Sequence, residues 1–328
     1  MDWDYIIVGG GSAGATLAAR LSAQGKNRVL LIEAGRNYTP DNVPAEVKDT
    51  FFRAVYNPRN LWPGVMVHWQ PVPHNAPETA TARRYEQARI IGGGSSINAM
   101  IALRGVPGDY DSWVQAGCAG WSFADCLPFF KRLERDLDFP GPLHGGDGPI
   151  PIRRHKREEW PPFARAISEA AAARGIAFVD DMNGAPADGF CRVPMSNLPT
   201  TRVSTAIGFL DNEARRRPNL RIVSDTLVEQ LLLDGKKITG VVARGPGGPE
   251  TFKGREVIVS AGALHSPAIL LRAGIGPAAQ LARHGIEARV DLPGVGENLH
   301  DHPVVAVAAL LKREGMQPAA LRPHANLA

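Results

Sequence analysis

Gly9, Gly11 and Gly14 stand as G-x-G-x-x-G behind the apolar run Tyr5-Ile6-Ile7-Val8, and an acid, Glu33, closes the next apolar run, Val29-Leu30-Leu31-Ile32. This spacing suits the binding of a dinucleotide. Gly9 permits a tight turn, Gly11 lets the backbone approach a pyrophosphate, and Gly14 lets a helix lie close against the strand. Unpaired N–H groups at the helix start then face the phosphate oxygens. Glu33 would accept hydrogen bonds from the adenosine ribose and repel a 2′-phosphate, which disfavours NADP. The motif by itself does not separate NAD from FAD, and without strand, helix and acid in register it would be an ordinary glycine-rich turn.

A second glycine cluster, Gly92-Gly93-Gly94-Ser95-Ser96, follows Arg89-Ile90-Ile91. Its successive backbone N–H groups make either an anion-binding nest or a turn with a serine N-cap. Farther on, Val257-Ile258-Val259-Ser260 reads as a buried strand ending on Ala261-Gly262. Ser266 is then expected as the N-cap of a helix, Pro267 as its first residue and Gly274 at its end. The ends of parallel strands are where such a sheet presents its ligand crevice. His265 reads as a helix-start side chain beside that crevice rather than as a base. His300-Asp301-His302 offers two imidazoles at i and i+2 without a third ligand at metal spacing, so no metal is expected. The other histidines, His144 among them, fall in loops or polar faces without an evident partner.

Residues 4–33 form one βαβ unit, with its helix over residues 13–24, and the unbroken apolar strands predict a parallel sheet covered on both faces. From Arg36 to about Arg83 prolines at 40, 44, 58, 63, 71, 73 and 77 forbid long helices, which predicts an extended or lid-like excursion. The glycine- and proline-rich stretch 140–151 predicts a crossing between domains, and residues 162–174 an amphipathic helix ended by Gly175. Strand-like runs return at 220–223, 228–233, 238–243 and 257–260, which predicts a β-meander before the chain rejoins the first sheet.

Composition narrows the class. In 328 residues, 37 Lys and Arg face 33 Asp and Glu, a net charge of +4, and 44% of positions are hydrophobic, as in an ordinary globular protein. The clusters 153–157 and 215–217 read as solvated basic faces, the second as a helix end, so no nucleic-acid partner is expected. No apolar run approaches the roughly 20 residues of a membrane span, so no transmembrane segment is expected. The acidic N-terminus lacks the features of a secretory signal, which predicts a cytoplasmic location. Three cysteines, at 118, 126 and 191, lack C-x-x-C spacing and read as reduced thiols.

In four places the chain resembles the glucose-methanol-choline (GMC) family of flavoprotein oxidoreductases: residues 4–35 as dinucleotide fingerprint, IIGGGSSINAMIALRG at 90–105, GALHSPAILLRAGIGP at 262–277 and GVGENLHDH at 294–302. Segments 109–113 and 121–123 are similar to its choline and alcohol dehydrogenase branch. The resemblance implies an α/β fold: a discontinuous Rossmann-like FAD-binding domain with part of an α+β substrate domain. Residues 1–151, with the lid-like excursion, and 218–303 would make the first; residues 152–217 and 304–328 would belong to the second.

It further implies FAD held by Gly9, Gly11, Ser12, Ala13 and Gly14, with Glu33 and Ala34 at the ribose. Ile90, Gly92, Gly93, Asn98, Ala99, Met100 and Ile101 would lie along the pyrophosphate and flavin, Val228 would face the adenine through its backbone, and Ala261 and Gly262 would approach the cofactor. Relatives that tether their flavin use a histidine where Ile97 stands, so non-covalent FAD is expected. The implied reaction oxidises a small-molecule alcohol to a carbonyl, the hydride passing to flavin N5. The family's paired catalytic residues lie in a C-terminal segment that does not occur before Ala328. The expectation is therefore a truncated member, with no catalytic residue assigned here and a separate C-terminal half as a possible partner. The alternative is a non-catalytic FAD-binding fragment or half of a split enzyme.

Overall fold

A computed structural model of the chain describes residues 2–68, 82–302 and 310–316. Most of the segment 304–328 expected in the substrate domain lies outside the described residues, as do the prolines at 71, 73 and 77. The chain separates into two compact units, Met1–Met100 with Pro199–His300, and Ile101–Leu198 with Asp301–Ala328.

The first unit is built on β1 (Trp3–Val8), α1 (Ser12–Ser22), β2 (Val29–Ile32), β3 (Leu220–Val223), β4 (Leu227–Asp234), β5 (Lys237–Gly245), β6 (Gly248–Val259) and α2 (Gly262–Arg272). Its six-stranded sheet has the order β3-β2-β1-β6-β5-β4. β1 pairs in parallel with β2 on one side and β6 on the other, with Ile7 opposite Leu31 and Ile258. A strand so enclosed is covered on both faces, and Ile6, Ile7 and Val8 are at most 3% exposed. Each such side chain contributes about 1.5–3 kcal/mol of burial.

The expected meander is β4-β5-β6, antiparallel throughout. Its third strand and the strand that rejoins the sheet are one element: β6 runs on for 12 residues from the meander into its pairing with β1. In the excursion after β2 the longest described helical turns have four residues, at Ala45–Lys48 and Arg53–Tyr56.

α2 departs from expectation. It starts at Gly262 with Ala261 as N-cap, and Pro267 lies inside it rather than at its first position. Gly262, at φ +83°, takes the turn off the strand at once, so the chain is already helical when it reaches Ser266. Gly274 follows the helix with φ +79°, as its position predicted.

In the second unit the stretch 140–151 is packed inside rather than crossing between domains. Strand Glu134–Asp136 pairs with Ile150–Ile152, and a side chain at Gly145 or Gly148 would strike the backbone near Glu134. Residues 101–151 therefore fold with 152–198, which moves the divisions from the expected 151/152 and 217/218 to 100/101 and 198/199. Helices Pro107–Gln115 and Phe123–Leu133 meet through rings: Tyr110 lies 5.2 Å from Trp113, 5.9 Å from Phe123 and 5.6 Å from Phe130. The basic clusters are less solvated than expected. Arg154 is fully buried, and Arg215 and Arg217 donate to the carbonyls of Leu210, Tyr38 and Ala19. The three cysteines are free. Among the described residues no helix is long and apolar enough to cross a membrane.

Candidate functional site

The carboxyl ends of β1, β2 and β6 open into a cavity of about 540 Å³ within the first unit. Gly9, Gly11, Ser12 and Ala13 border it from the first turn, Glu33 and Ala34 from the end of β2, Ile90 and Gly93 from the second glycine cluster, Val228 from β4, and Ala261 and Gly262 from the turn into α2. The glycines of the first turn do different work. Gly9 has φ +95°, and an added Cβ would lie 2.7 Å from the Ser260 carbonyl oxygen. At Gly14 it would run into the Gly9 carbonyl. At Gly11 it would meet only Gly93 Cα, at 3.8 Å, so the absent side chain leaves backbone bare toward the cavity. No side chain caps α1, whose first internal bond runs from the Ala15 N–H to the Gly11 carbonyl. The helix start thus offers amide hydrogens and partial positive charge to an anion.

Glu33 is 7% exposed, and its two oxygens accept from the Gly10 and Gly35 N–H groups, both at 2.7 Å. The carboxylate thus holds the turns after β1 and β2 together, and each oxygen keeps a second lone pair for a ligand. Burial raises its pKa against the lowering pull of those N–H groups and of Arg89. The folded state therefore keeps the proton to higher pH than the unfolded chain. Stability should fall as pH rises from the ordinary glutamate range through the raised value. Glu33→Gln has no proton to release, so chemical denaturation over that range should lose this slope. The variant should also lose about 1 kcal/mol, because its NH2 group faces one of the two backbone donors.

The second glycine cluster closes the cavity from the other side. Gly92 (φ +81°) and Gly93 (φ +53°) lead into a 3-10 turn over Gly93–Ser96, and the Gly92 N–H donates to the Gly10 carbonyl at 2.7 Å. Beneath it, Tyr38 Oη lies 2.8 Å from both Ser96 Oγ and Ser204 Oγ. Asn98, Ala99 and Met100 continue this loop but do not border the cavity; Met100 is buried with φ +61°, and its N–H donates to Asn98 Oδ1. Gly14 and Gly92 support the wall without lining it. Ile101 belongs to the second unit and is 56% exposed.

The GMC oxidoreductase family model matches residues 3–304, nearly the whole chain. The chain belongs to the GMC oxidoreductase family. Among curated GMC relatives, a 5-(hydroxymethyl)furfural oxidase from a Methylovorus species is 44% identical over 319 residues, which are 95% of this chain and 59% of that protein. An oxygen-dependent choline dehydrogenase from Brucella anthropi is 36% identical, matching 100% of this chain and 57% of its own length. Among solved structures, an FAD-dependent oxidoreductase from Chaetomium thermophilum superposes with a TM-score of 0.79 and 29% identity, over 89% of this chain and 51% of that one. The chain spans less than two thirds of the length of these relatives. The family is one of FAD-dependent oxidoreductases, as the sequence motifs implied.

Sequence reasoning missed several residues of this GMC site. Trp62 borders the cavity from the excursion and Gln87 from the stretch after it, Thr226 from just before β4, Leu227 from its first residue and Arg272 from α2. Of these Arg272 alone falls in a family-like segment, where no role was assigned to it. Arg202, which is fully buried and donates to the Asn98 carbonyl at 2.6 Å, was equally silent.

The acids nearest to metal-ligand geometry among the described residues lie elsewhere, in the second unit, where Glu134, Asp136 and His144 converge. His144 has partners after all: its Nδ1 lies 3.3 Å from Glu134 and 3.2 Å from Asp136, and its Nε2 lies 2.7 Å from Asp181. Arg154 pairs with Asp136 and Asp181 at 2.9 Å, and Arg104 with Glu134 at 2.5 Å. The guanidinium groups already meet these carboxylates, which makes the group an internal ion network.

Proposed function

We propose that this chain binds FAD non-covalently in the cavity at the ends of β1, β2 and β6, and carries the flavin part of an oxidoreductase that converts an alcohol to a carbonyl. The observation that carries this reading is the convergence of the Gly9–Ala13 turn, Glu33, Gly93, Val228 and Ala261-Gly262 on one cavity. The bare backbone at Gly11 and the uncapped start of α1 suit a pyrophosphate. Glu33, at the edge of the same wall, suits the ribose hydroxyls, and the Val228 backbone the adenine. Ile90 and Gly93, from the second glycine cluster, would face the bound cofactor from the opposite wall. Ile97 is an apolar residue, 7% exposed, and offers no nucleophile for a tether.

When bound, the flavin would supply the hydride acceptor at N5, while the protein positions it and excludes water. The relatives named above act on 5-(hydroxymethyl)furfural and choline, both of which carry a primary alcohol, and this chemistry defines the substrate class proposed. No group that takes the hydroxyl proton is assigned within residues 1–328.

The visible absorption of the purified chain, recorded before and after denaturation, tests the proposal. Flavin bands that pass into the protein-free supernatant are expected. Bands that stay with the precipitate would refute non-covalent binding, and a folded but colourless protein that takes up no added FAD would refute the flavin reading.

A further inference from the structure

Trp62 and His265 meet at one end of the cavity with ring centroids 4.2 Å apart and a 35° tilt. Arg89 lies over the Trp62 ring at 4.9 Å, so the indole is held in turn. Trp62, Leu227, His265 and Arg272 border both this cavity and a neighbouring one of about 830 Å³, which places them at its outer limit, beside Val228.

The stack fixes the plane of the imidazole, and its Nε2 is buried without a hydrogen-bond partner among the described residues. Buried polar atoms are almost always paired, and an orphan on a residue that borders a cavity points to a group taken up there. Burial, aided by the Arg272 charge, holds His265 below the usual histidine range. The ring is therefore neutral at neutral pH, with one N–H and one lone pair. A neutral imidazole exchanges a hydrogen bond with an uncharged heteroatom, whereas a phosphate would be better served by a cation. The phosphate end of the cavity is at Gly11–Ala13; a purine edge or ribose hydroxyl is the uncharged polar part of a dinucleotide.

We propose that His265 Nε2 hydrogen-bonds the adenosine half of the bound dinucleotide and that Trp62 is the positioning residue that holds its ring. This rests on the dinucleotide reading of the cavity.

His265→Phe keeps a ring to stack on Trp62 and removes both nitrogens. The chain freed of flavin is titrated with FAD, followed by quenching of flavin fluorescence, and with ADP, followed by calorimetry. FAD and ADP should both bind about tenfold more weakly, the loss of one buried hydrogen bond, and by the same factor. The thermal midpoint of the unliganded protein should not change. His265→Gln, which restores a polar terminus, should recover part of the affinity and serves if the Phe variant does not fold. Unchanged affinities in either variant, or a loss for FAD without one for ADP, would overturn the assignment. If the unsubstituted chain binds neither FAD nor ADP, the dinucleotide reading itself fails; binding that is indifferent to His265 removes only the present inference.

Discussion

Gly14→Val and Gly11→Val, two positions three residues apart in one motif, should fail in different ways. At Gly14 a Cβ would overlap the Gly9 carbonyl and lie 2.7 Å from Ser260 Oγ, which itself donates to the Val8 and Gly9 carbonyls. These neighbours are backbone, or a side chain fixed by backbone, so α1 must move off β1. The expected cost is about 3 kcal/mol of stability, at the upper end for an overpacked core, together with the loss of FAD binding. At Gly11 the only neighbour is Gly93 Cα at 3.8 Å, and the backbone, at φ −72° and ψ −164°, accepts any L-residue. Gly11→Val should stay within about 0.5 kcal/mol of the parent in stability, as an unstrained surface change does. Its side chain fills the place of closest approach, so FAD affinity should fall by at least about tenfold. Urea denaturation of the unliganded proteins, set beside flavin titrations, separates the two outcomes. A Gly11 variant that binds FAD normally would remove the pyrophosphate from this turn.

Arg202→Met should produce the other large effect, although Arg202 does not border the candidate cavity. Its guanidinium ties three stretches of chain: Nη1 donates to the Asn98 carbonyl at 2.6 Å and to Asn98 Oδ1 at 3.0 Å, Nε to the Val47 carbonyl at 3.2 Å, and Nη2 to the Phe51 carbonyl at 3.3 Å. These partners are amide oxygens, so the charge is met by dipoles, and burial pushes its pKa down to about 10. Because the folded value lies below the unfolded one, the cost of burying the charge is full and constant across the neutral range and is relieved only as pH climbs past it. Methionine fills the volume and removes that cost but strands two or three carbonyls, each worth about 1–3 kcal/mol. The net loss should be about 3 kcal/mol by urea denaturation. Amide exchange should accelerate around Gly92–Met100, where Met100 is held at φ +61°, more than in β1 and β2. Equal acceleration everywhere would show that Arg202 stabilises the unit as a whole and not this loop.

The first unit was largely legible because its signals are local. The uninterrupted apolar runs of β1 and β2, the glycines between β1 and α1, and Glu33 at the end of β2 each follow from the conformation or burial that a short stretch demands. The resemblance extended that reading to the second glycine cluster, to Val228 and to Ala261-Gly262, of which the fold brings Gly93, Val228, Ala261 and Gly262 to one cavity and leaves Gly92 and Asn98–Met100 behind its wall. Ser266-Pro267 misled because a serine and a proline in sequence look like a helix start, while Gly262 had already turned the chain into the helix.

Long-range pairing was not legible. Arg202, distant in sequence from its partners at Val47 and Asn98, carries no motif, and an arginine in an unremarkable stretch is by default a surface residue. Arg154 and His144 read as solvated for the same reason: the pairing of Glu134–Asp136 with Ile150–Ile152 brings Glu134 and Asp136 to them, the segment after Val179 brings Asp181, and these carboxylates replace their water. Trp62 and His265 are likewise far apart in sequence, and their stack exists only because the excursion folds back over the start of α2. The βαβ unit, the glycine turns and the acid at the end of β2 could be read from the chain alone, since backbone strain and apolar periodicity act within a few residues. Which charges are buried, which carbonyls they satisfy and which imidazole nitrogen is left unpaired among the described residues follow from the packing of distant segments, because burial belongs to none of those segments alone.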